Sequence, residues 1–380
     1  MDLSHVLAAW ASFGQGGRST SRSCYERLGV YSIPKKTIIT VVVSVICALV
    51  LLAGCASPMP KSSGKPMVWP VEKGHPYFHS VLQMRWLGTS AYLIQLGDVA
   101  ILTDPFFTYQ PLPVVLCGEV RSDPDKVAKK LSGLAVADAM FVGHSHYDHM
   151  LDLIGTIRHT GWRDVPVYGS HTLRNIMCGY GEEVRNWRCA RPGAGWQHVV
   201  PGLEFMALRA EHAPHFRFGD ISLALYDGRV DECLPEPPRR AGEFKVGDTY
   251  AYLFRLSNHH VEGLRPDQRR SFTVYMAGAA SNFPIGLPDE AERGVDVAIL
   301  CVPAWRNVSG YPGRFIDWLR PRHVVLSHYD NFFQTCGCCA TVVPTADLPG
   351  FMRVVRCHVD YPTFEEMHTP RVDDVMYFQK

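Results

Sequence analysis

The chain of 380 residues has no excess of charge of either sign: 38 basic side chains stand against 37 acidic ones, a net of +1. That excludes a polycation that holds nucleic acid by bulk charge, and no nucleic-acid partner is expected. No internal repeat and no low-complexity tract is present. There is no Gly-x-Ser-x-Gly elbow, so a serine nucleophile of that type is not on offer. The longest apolar run, residues 38–52, is shorter than the roughly 20 residues that a membrane-spanning helix needs. At 47% hydrophobic, the chain has ample material for a packed core, which excludes a disordered protein. Two residue types are plentiful, with 17 histidines and 12 cysteines. They point to metal or redox chemistry only if position agrees.

The apolar run follows Lys35-Lys36 and closes with Leu52-Ala53-Gly54-Cys55. A basic start, an apolar centre and small residues at the end describe a secretory signal. The ending resembles the lipobox of bacterial lipoproteins, whose cysteine is lipidated and becomes the first mature residue. The resemblance implies a signal over 35–54, lipid on Cys55 and a location in the bacterial cell envelope, at the periplasmic face of the outer membrane. An uncleaved anchor helix is the other reading of the run. Residues 1–34 fit no signal and are expected to hold no folded domain, as an early-called start codon would produce. Residues 55–79 are expected to be a tether, with 56–66 rich in Pro, Ser, Gly and Lys. Beyond Cys55 lie Cys117, Cys178, Cys189, Cys233, Cys301, Cys336, Cys338, Cys339 and Cys357. Their number is odd, so at least one is free or pairs with another chain, and the connectivity stays open.

From residue 80 onward, short apolar runs recur between Gly, Asp and Pro. Strands are expected at Val81–Leu87, Ala91–Leu96, Val99–Leu102, Ala139–Val142, Val165–Tyr168, Leu203–Leu208, Ile221–Leu225, Tyr250–Leu256, Phe272–Met276, Val297–Val302 and His323–Leu326. Helices are expected at Asp123–Leu131, Met150–His159, 171–178 behind Ser170 as N-cap, Arg314–Leu319 and Leu348–Val355. Strands in series with interspersed helices predict one layered α/β domain over 80–380. The stretches 228–248 and 257–270 read as surface loops.

The chemistry concentrates in Gly143-His144-Ser145-His146-Tyr147-Asp148-His149, directly after an apolar strand. Side chains at i and i+2 on extended backbone point the same way, so His144 and His146 can share one ion. Asp148 and His149 follow as the chain turns into a helix, and can face a second. Neutral imidazole and carboxylate are zinc ligands.

The pattern His-x-His-x-Asp-His resembles the metallo-β-lactamase-fold hydrolases, over about 82–333. The resemblance implies a four-layer αβ/βα sandwich with metals at one edge of two facing sheets. It further implies that His144, His146 and His212 hold a first zinc, and that Asp148, His149 and His328 hold a second. Asp104, in Thr103-Asp104-Pro105, would orient the motif loop from behind. The implied function is zinc-dependent hydrolysis through metal-bound hydroxide, with Asp148 as the catalytic group. Tyr147 before the metal aspartate is similar to a branch that includes N-acylphosphatidylethanolamine phospholipase D-like and lactonase-like enzymes. A phosphodiester, phospholipid-like, lactone or ester substrate is therefore expected, small-molecule or lipid. His215 could reach the pocket from a supporting position; His259 and His260 read as solvated.

One position departs from the family. After Phe272–Met276 an aspartate that bridges both metals is expected, and Ala279 stands there. The second metal would then bind weakly, or Asp330 would substitute, or the protein would be a metal-binding lipoprotein without turnover. Use of the fold with iron for oxidation is a further alternative, against which stands the lack of a flavin-binding module.

Overall fold

The computed structural model describes residues 57–60, 75, 77–181, 185–218, 221–282, 294–334, 341–344 and 346–380. Contacts divide the chain into two units, Met1–Cys55 and Ala56–Lys380. The whole first unit, with the expected signal and Cys55, lies outside the described residues. So do Cys336, Cys338 and Cys339. Among the described residues, no helix is long and apolar enough to cross a membrane.

Two seven-stranded sheets make up the second unit. The first holds β1 (Leu82–Gly88), β2 (Ala91–Leu96), β3 (Val99–Thr103), β4 (Ala139–Phe141), β5 (Val167–Gly169), β6 (Trp187–Cys189) and β16 (Val375–Phe378), in the order β16-β1-β2-β3-β4-β5-β6. The second holds β7 (Gln197–Val200), β8 (Leu203–Ala210), β11 (Thr249–Ser257), β12 (Ser271–Ala277), β13 (Val297–Cys301), β14 (His323–Ser327) and β15 (Glu366–His368), in the order β15-β14-β13-β12-β11-β8-β7. A small hairpin of β9 (Phe216–Phe218) and β10 (Ile221–Leu223) stands apart from both. Each large sheet has an antiparallel half and a parallel half. Parallel neighbours need crossover segments, and the helices supply them: Pro124–Leu131, Leu153–Thr160 and His171–Cys178 in the first sheet, Gly313–Leu319 and Leu348–His358 in the second.

The strands alternate as their period of two requires. Leu102, Met140 and Val167 face outward onto Val127, Ile154, Ile157 and Leu173 of the first helix layer. Ile101 and Phe141 face inward. The Phe141 ring lies 4.9 Å from Phe205, 5.3 Å from Tyr252 and 4.8 Å from Phe254, so it joins the two sheets. Phe315, Ile316, Phe351 and Val355 cover the far side of the second sheet. Helix, sheet, sheet, helix is the αβ/βα sandwich expected from the sequence.

Several expectations are corrected in detail. Ser57–Pro60 is not free tether: Met59 is buried, Pro58 bridges to Thr341, and the Val342 N–H donates to the Ser57 carbonyl at 2.8 Å. The short strands β6, β7, β15 and β16 and a helix over Leu112–Cys117 were not expected. Cys178 pairs with Cys233, tying the helix His171–Cys178 to the stretch 228–248. Asn175 reinforces that tie by donating to the Val230 carbonyl at 2.8 Å.

The inward aromatic cluster gives a direct stability test. Phe141→Ala should lower the unfolding free energy by about 3–5 kcal/mol, read by chemical denaturation. A loss below about 1 kcal/mol would mean that Phe141 does not join the sheets.

Candidate metal centre

The strand pairings bring five strand ends to one rim. β3 and β4 are parallel. β12, β13 and β14 are parallel, and β8 runs the same way because β11 is antiparallel to both β8 and β12. Asp104 follows β3, His144 lies just past β4, His212 past β8, Gly278 after β12 and His328 after β14. Residues far apart in sequence therefore meet because their strands end together.

The motif loop is held by its own backbone. The Gly143 N–H donates to Asp104 Oδ1 at 2.7 Å, and the Gly143 carbonyl accepts from the Tyr250 N–H at 2.7 Å. The Ser145 N–H donates to the Val246 carbonyl at 3.0 Å. The chain then makes one helical turn, Tyr147–Met150, which carries Asp148 and His149. Both sheets thus fix the loop before any ligand contributes.

Two groups that could hold a metal form, and they match the sets that the resemblance implied: His144, His146 and His212, and Asp148, His149 and His328. In the first, the three ring centroids lie 4.7, 4.7 and 4.8 Å apart. His144 Nε2 is 3.1 Å from His146 Nδ1. In the second, His328 Nε2 is 3.2 Å from His149 Nε2 and 3.3 Å from Asp148 Oδ2, and His149 Nε2 is 3.9 Å from Asp148 Oδ2. A tetrahedral ion with bonds of about 2.1 Å sets its ligands roughly 3.4 Å apart. The spacing fits metal coordination.

The tautomers fit as well. Asp104 Oδ2 lies 2.9 Å from His149 Nδ1. A carboxylate accepts, so that nitrogen carries the proton and Nε2 offers its lone pair to the group. The Ala213 carbonyl does the same for His212 Nδ1 at 2.7 Å. Burial, then the neighbouring imidazoles, push the His144 and His146 pKa values well below the usual range. Burial and His215 bring His212 down to about 3. Neutral imidazole is the form that binds metal. For Asp148, burial favours protonation, but His149, His328 and His146 outweigh it and hold the carboxyl well below the usual range. His328 is raised: burial opposes its charge, and the hydrogen bond and charge of Asp148 prevail.

The supporting residues also find places. Tyr147 is buried, with its ring 5.8 Å from Phe106. His215 stacks on His212 at 5.0 Å and accepts from the Leu225 N–H on Nδ1 at 3.1 Å. His259 and His260 are exposed. Asp330, expected as a supporting residue or a substitute ligand, belongs to neither group and stands behind His328. Its carboxylate accepts from the Thr89 N–H at 3.0 Å and from the Tyr109 hydroxyl. Thr89 in turn accepts the His328 N–H on its carbonyl at 3.0 Å, so Asp330 positions a ligand without becoming one. Ala279 is buried and supplies no oxygen; among the described residues, Asp148 is the sole carboxylate in either group.

Sequence reasoning missed the cavity wall. A cavity of about 360 Å³ is lined by His146 and His212 and by residues of 246–249. Tyr226, whose ring lies 6.2 Å from His146, stands beside the stretch read as a surface loop. The tie to the helix through Cys178–Cys233 was the one signal available, and pairing cannot be read from sequence.

No family model matches the chain. It is 28% identical over 297 residues to a UPF0173 metal-dependent hydrolase of Cupriavidus taiwanensis, covering 77% of this chain and 87% of that protein. A second such hydrolase, from Cupriavidus necator, is 26% identical over 299 residues, with 76% and 86% covered. An uncharacterised protein of Mycobacterium tuberculosis is 30% identical over 108 residues, 28% of this chain. The match spans about a quarter (26%) of that mycobacterial relative's length. Among solved structures, a metallo hydrolase of Ignicoccus hospitalis aligns at 17% identity with a TM-score of 0.48, covering 79% of this chain and all (100%) of that one.

The central prediction concerns Asp104. Asp104→Ala should weaken metal binding by about 10–100-fold, measured by competition against a chelator. Unchanged affinity would mean that the Asp104–His149 contact does not orient the ligand. With two facing sheets, outer helices and both candidate ligand groups on one rim, the chain is an αβ/βα sandwich, and over most of its length it is similar to UPF0173 metal-dependent hydrolases.

Proposed function

We propose that this protein is a zinc-dependent hydrolase that cleaves a phosphodiester, phospholipid-like, or a lactone or ester bond. The observation that carries the reading is the convergence of six candidate ligand side chains in two groups of three, of which His146 and His212 line a cavity. Similar proteins over most of the chain are named metal-dependent hydrolases. Tyr147 before the metal aspartate favours the phosphodiesterase-like and lactonase-like branch.

His144, His146 and His212 would hold one ion, and Asp148, His149 and His328 a second. When bound, zinc supplies Lewis acidity and makes water nucleophilic near neutral pH. The chain's own residues do the rest. Asp148, kept ionised, would orient the attacking water. Asp104 keeps the His149 ring in register, and Asp330 holds the Thr89 turn whose carbonyl accepts the His328 backbone N–H. The second reading, metal binding without turnover, rests on Ala279, which removes one charged oxygen from the site. We further propose that Cys55 carries a lipid anchor in the bacterial cell envelope, on the strength of Leu52-Ala53-Gly54-Cys55 behind the apolar run.

Bis(4-nitrophenyl) phosphate, an N-acyl homoserine lactone and phosphatidylethanolamine vesicles make a discriminating panel. At least one should be hydrolysed, with activity lost on chelation, regained with zinc, and cut at least about 100-fold in His146→Ala. Activity untouched by His146→Ala would refute the metal mechanism. Full zinc occupancy with no turnover would favour the binding reading. Labelled palmitate should enter the wild-type protein and not Cys55→Ala; equal labelling would refute the anchor.

A further inference from the structure

The cavity beside the metal ligands has a charged wall. It includes Arg209, Glu211, Asp227, Arg229 and Asp248. Four of these are committed to neighbours. Arg229 pairs with Asp248 at 2.6 Å. Glu211 accepts from the Asn282 amide, and Asp227 accepts from the Gly228 N–H at 2.7 Å. Arg209 has no ion-pair or hydrogen-bond partner among the described residues.

Its place in the fold makes this unusual. Arg209 lies on β8, in register with Tyr250 of β11. Residues two apart on a strand share a face, so Arg209 shares the face of Phe205 and Ala207. That face is the inner one, because Phe205 packs on Phe141 of the opposite sheet. Phe205 and Ala207 are buried and apolar. The next inward position is a permanently charged guanidinium, exposed where the sheets open into the cavity. His212 stands three positions further along the same segment and lines the same cavity. An inward cation with no ion-pair partner among the described residues, beside the candidate metal ligands, is suited to bind an anion; the planar fork of arginine suits carboxylate and phosphate alike.

We propose that Arg209 is the specificity residue of the cavity, and that the substrate carries an anionic group, carboxylate or phosphate, beside the bond that is hydrolysed. This rests on the hydrolase reading for the cleavage, and on the cavity alone for the anion.

The test has two arms on the full-length protein, comparing wild type, Arg209→Ala and Arg209→Lys. In the first, calorimetry measures the binding of succinate and of inorganic phosphate to the zinc-loaded proteins. Arg209→Ala should weaken at least one probe by about tenfold, and Arg209→Lys should recover part of the loss. The probe that Arg209→Ala weakens more identifies the anion class. In the second arm, the ratio of kcat/KM for mono(4-nitrophenyl) succinate over 4-nitrophenyl acetate should fall by a similar factor, through KM. If neither ester and no member of the phosphodiester, lactone and phospholipid panel is turned over but Arg209-dependent binding persists, the hydrolase reading falls and this inference stands. If both probes bind Arg209→Ala as they bind wild type, the inference is overturned, whatever the turnover.

Discussion

The Asp104 carboxylate joins the two parts on which the site depends. One oxygen receives the Gly143 N–H, which sets the start of the motif loop, and the other faces His149 Nδ1, which sets a ligand. Space there is tight. A Cβ on Gly278 would come within 2.7 Å of Asp104 Oδ2 and 3.3 Å of the His149 ring, so only glycine lets β12 end that close. Asp104 itself has φ +37°, and His328 and Thr89 have φ +64° and +45°. Such left-handed backbone is costly for side chains other than glycine, and persists where surrounding contacts over-determine it. Here the contacts are the Asp104 bonds on one side, and the Asp330–Thr89–His328 chain on the other.

The electrostatics follow from burial. Packing imidazoles at the rim of a double-sheet core favours their neutral form. His328 is the exception, raised by its hydrogen bond and ion pair with Asp148, and the buried Asp148 carboxylate is in turn held ionised by His149, His328 and His146. With Ala279 in place of an acid, Asp148 is the only described side chain that brings negative charge into either group. The site is consequently less anionic than a six-ligand motif with a bridging aspartate would be. An anionic substrate group at Arg209 is compatible with such a balance.

Much of this was legible in the sequence, for physical reasons. A short apolar run between turn residues marked Ala91–Leu96 to the residue, and Ser170 announced the helix that follows it, since its side chain accepts the Leu173 N–H at 3.1 Å. The motif residues were legible because their chemistry is local, compressed into 144–149. His212 and His328 needed the family resemblance, since only strand order brings them to the rim. What stayed hidden was non-local. Met59 docks from a segment whose composition reads as tether. The stretch 228–248 looks like solvated loop, yet the Cys178–Cys233 bridge pins it to a helix. Arg209 lies one residue past the expected strand Leu203–Leu208, and only the register with Tyr250 shows that it faces inward. Asp330 sits two residues past a ligand and looks like a spare one, but the Thr89 turn claims its carboxylate.

The central claim is that two three-ligand groups each hold a metal ion. Anomalous diffraction at the zinc edge, on crystals grown with zinc, measures this directly. The account predicts a peak within about 2.0–2.2 Å of ligand atoms from His144, His146 and His212, and another, of equal or lower occupancy, among Asp148, His149 and His328. Crystals with no peak at either group, and with the imidazoles bonded to one another or to water, would contradict it.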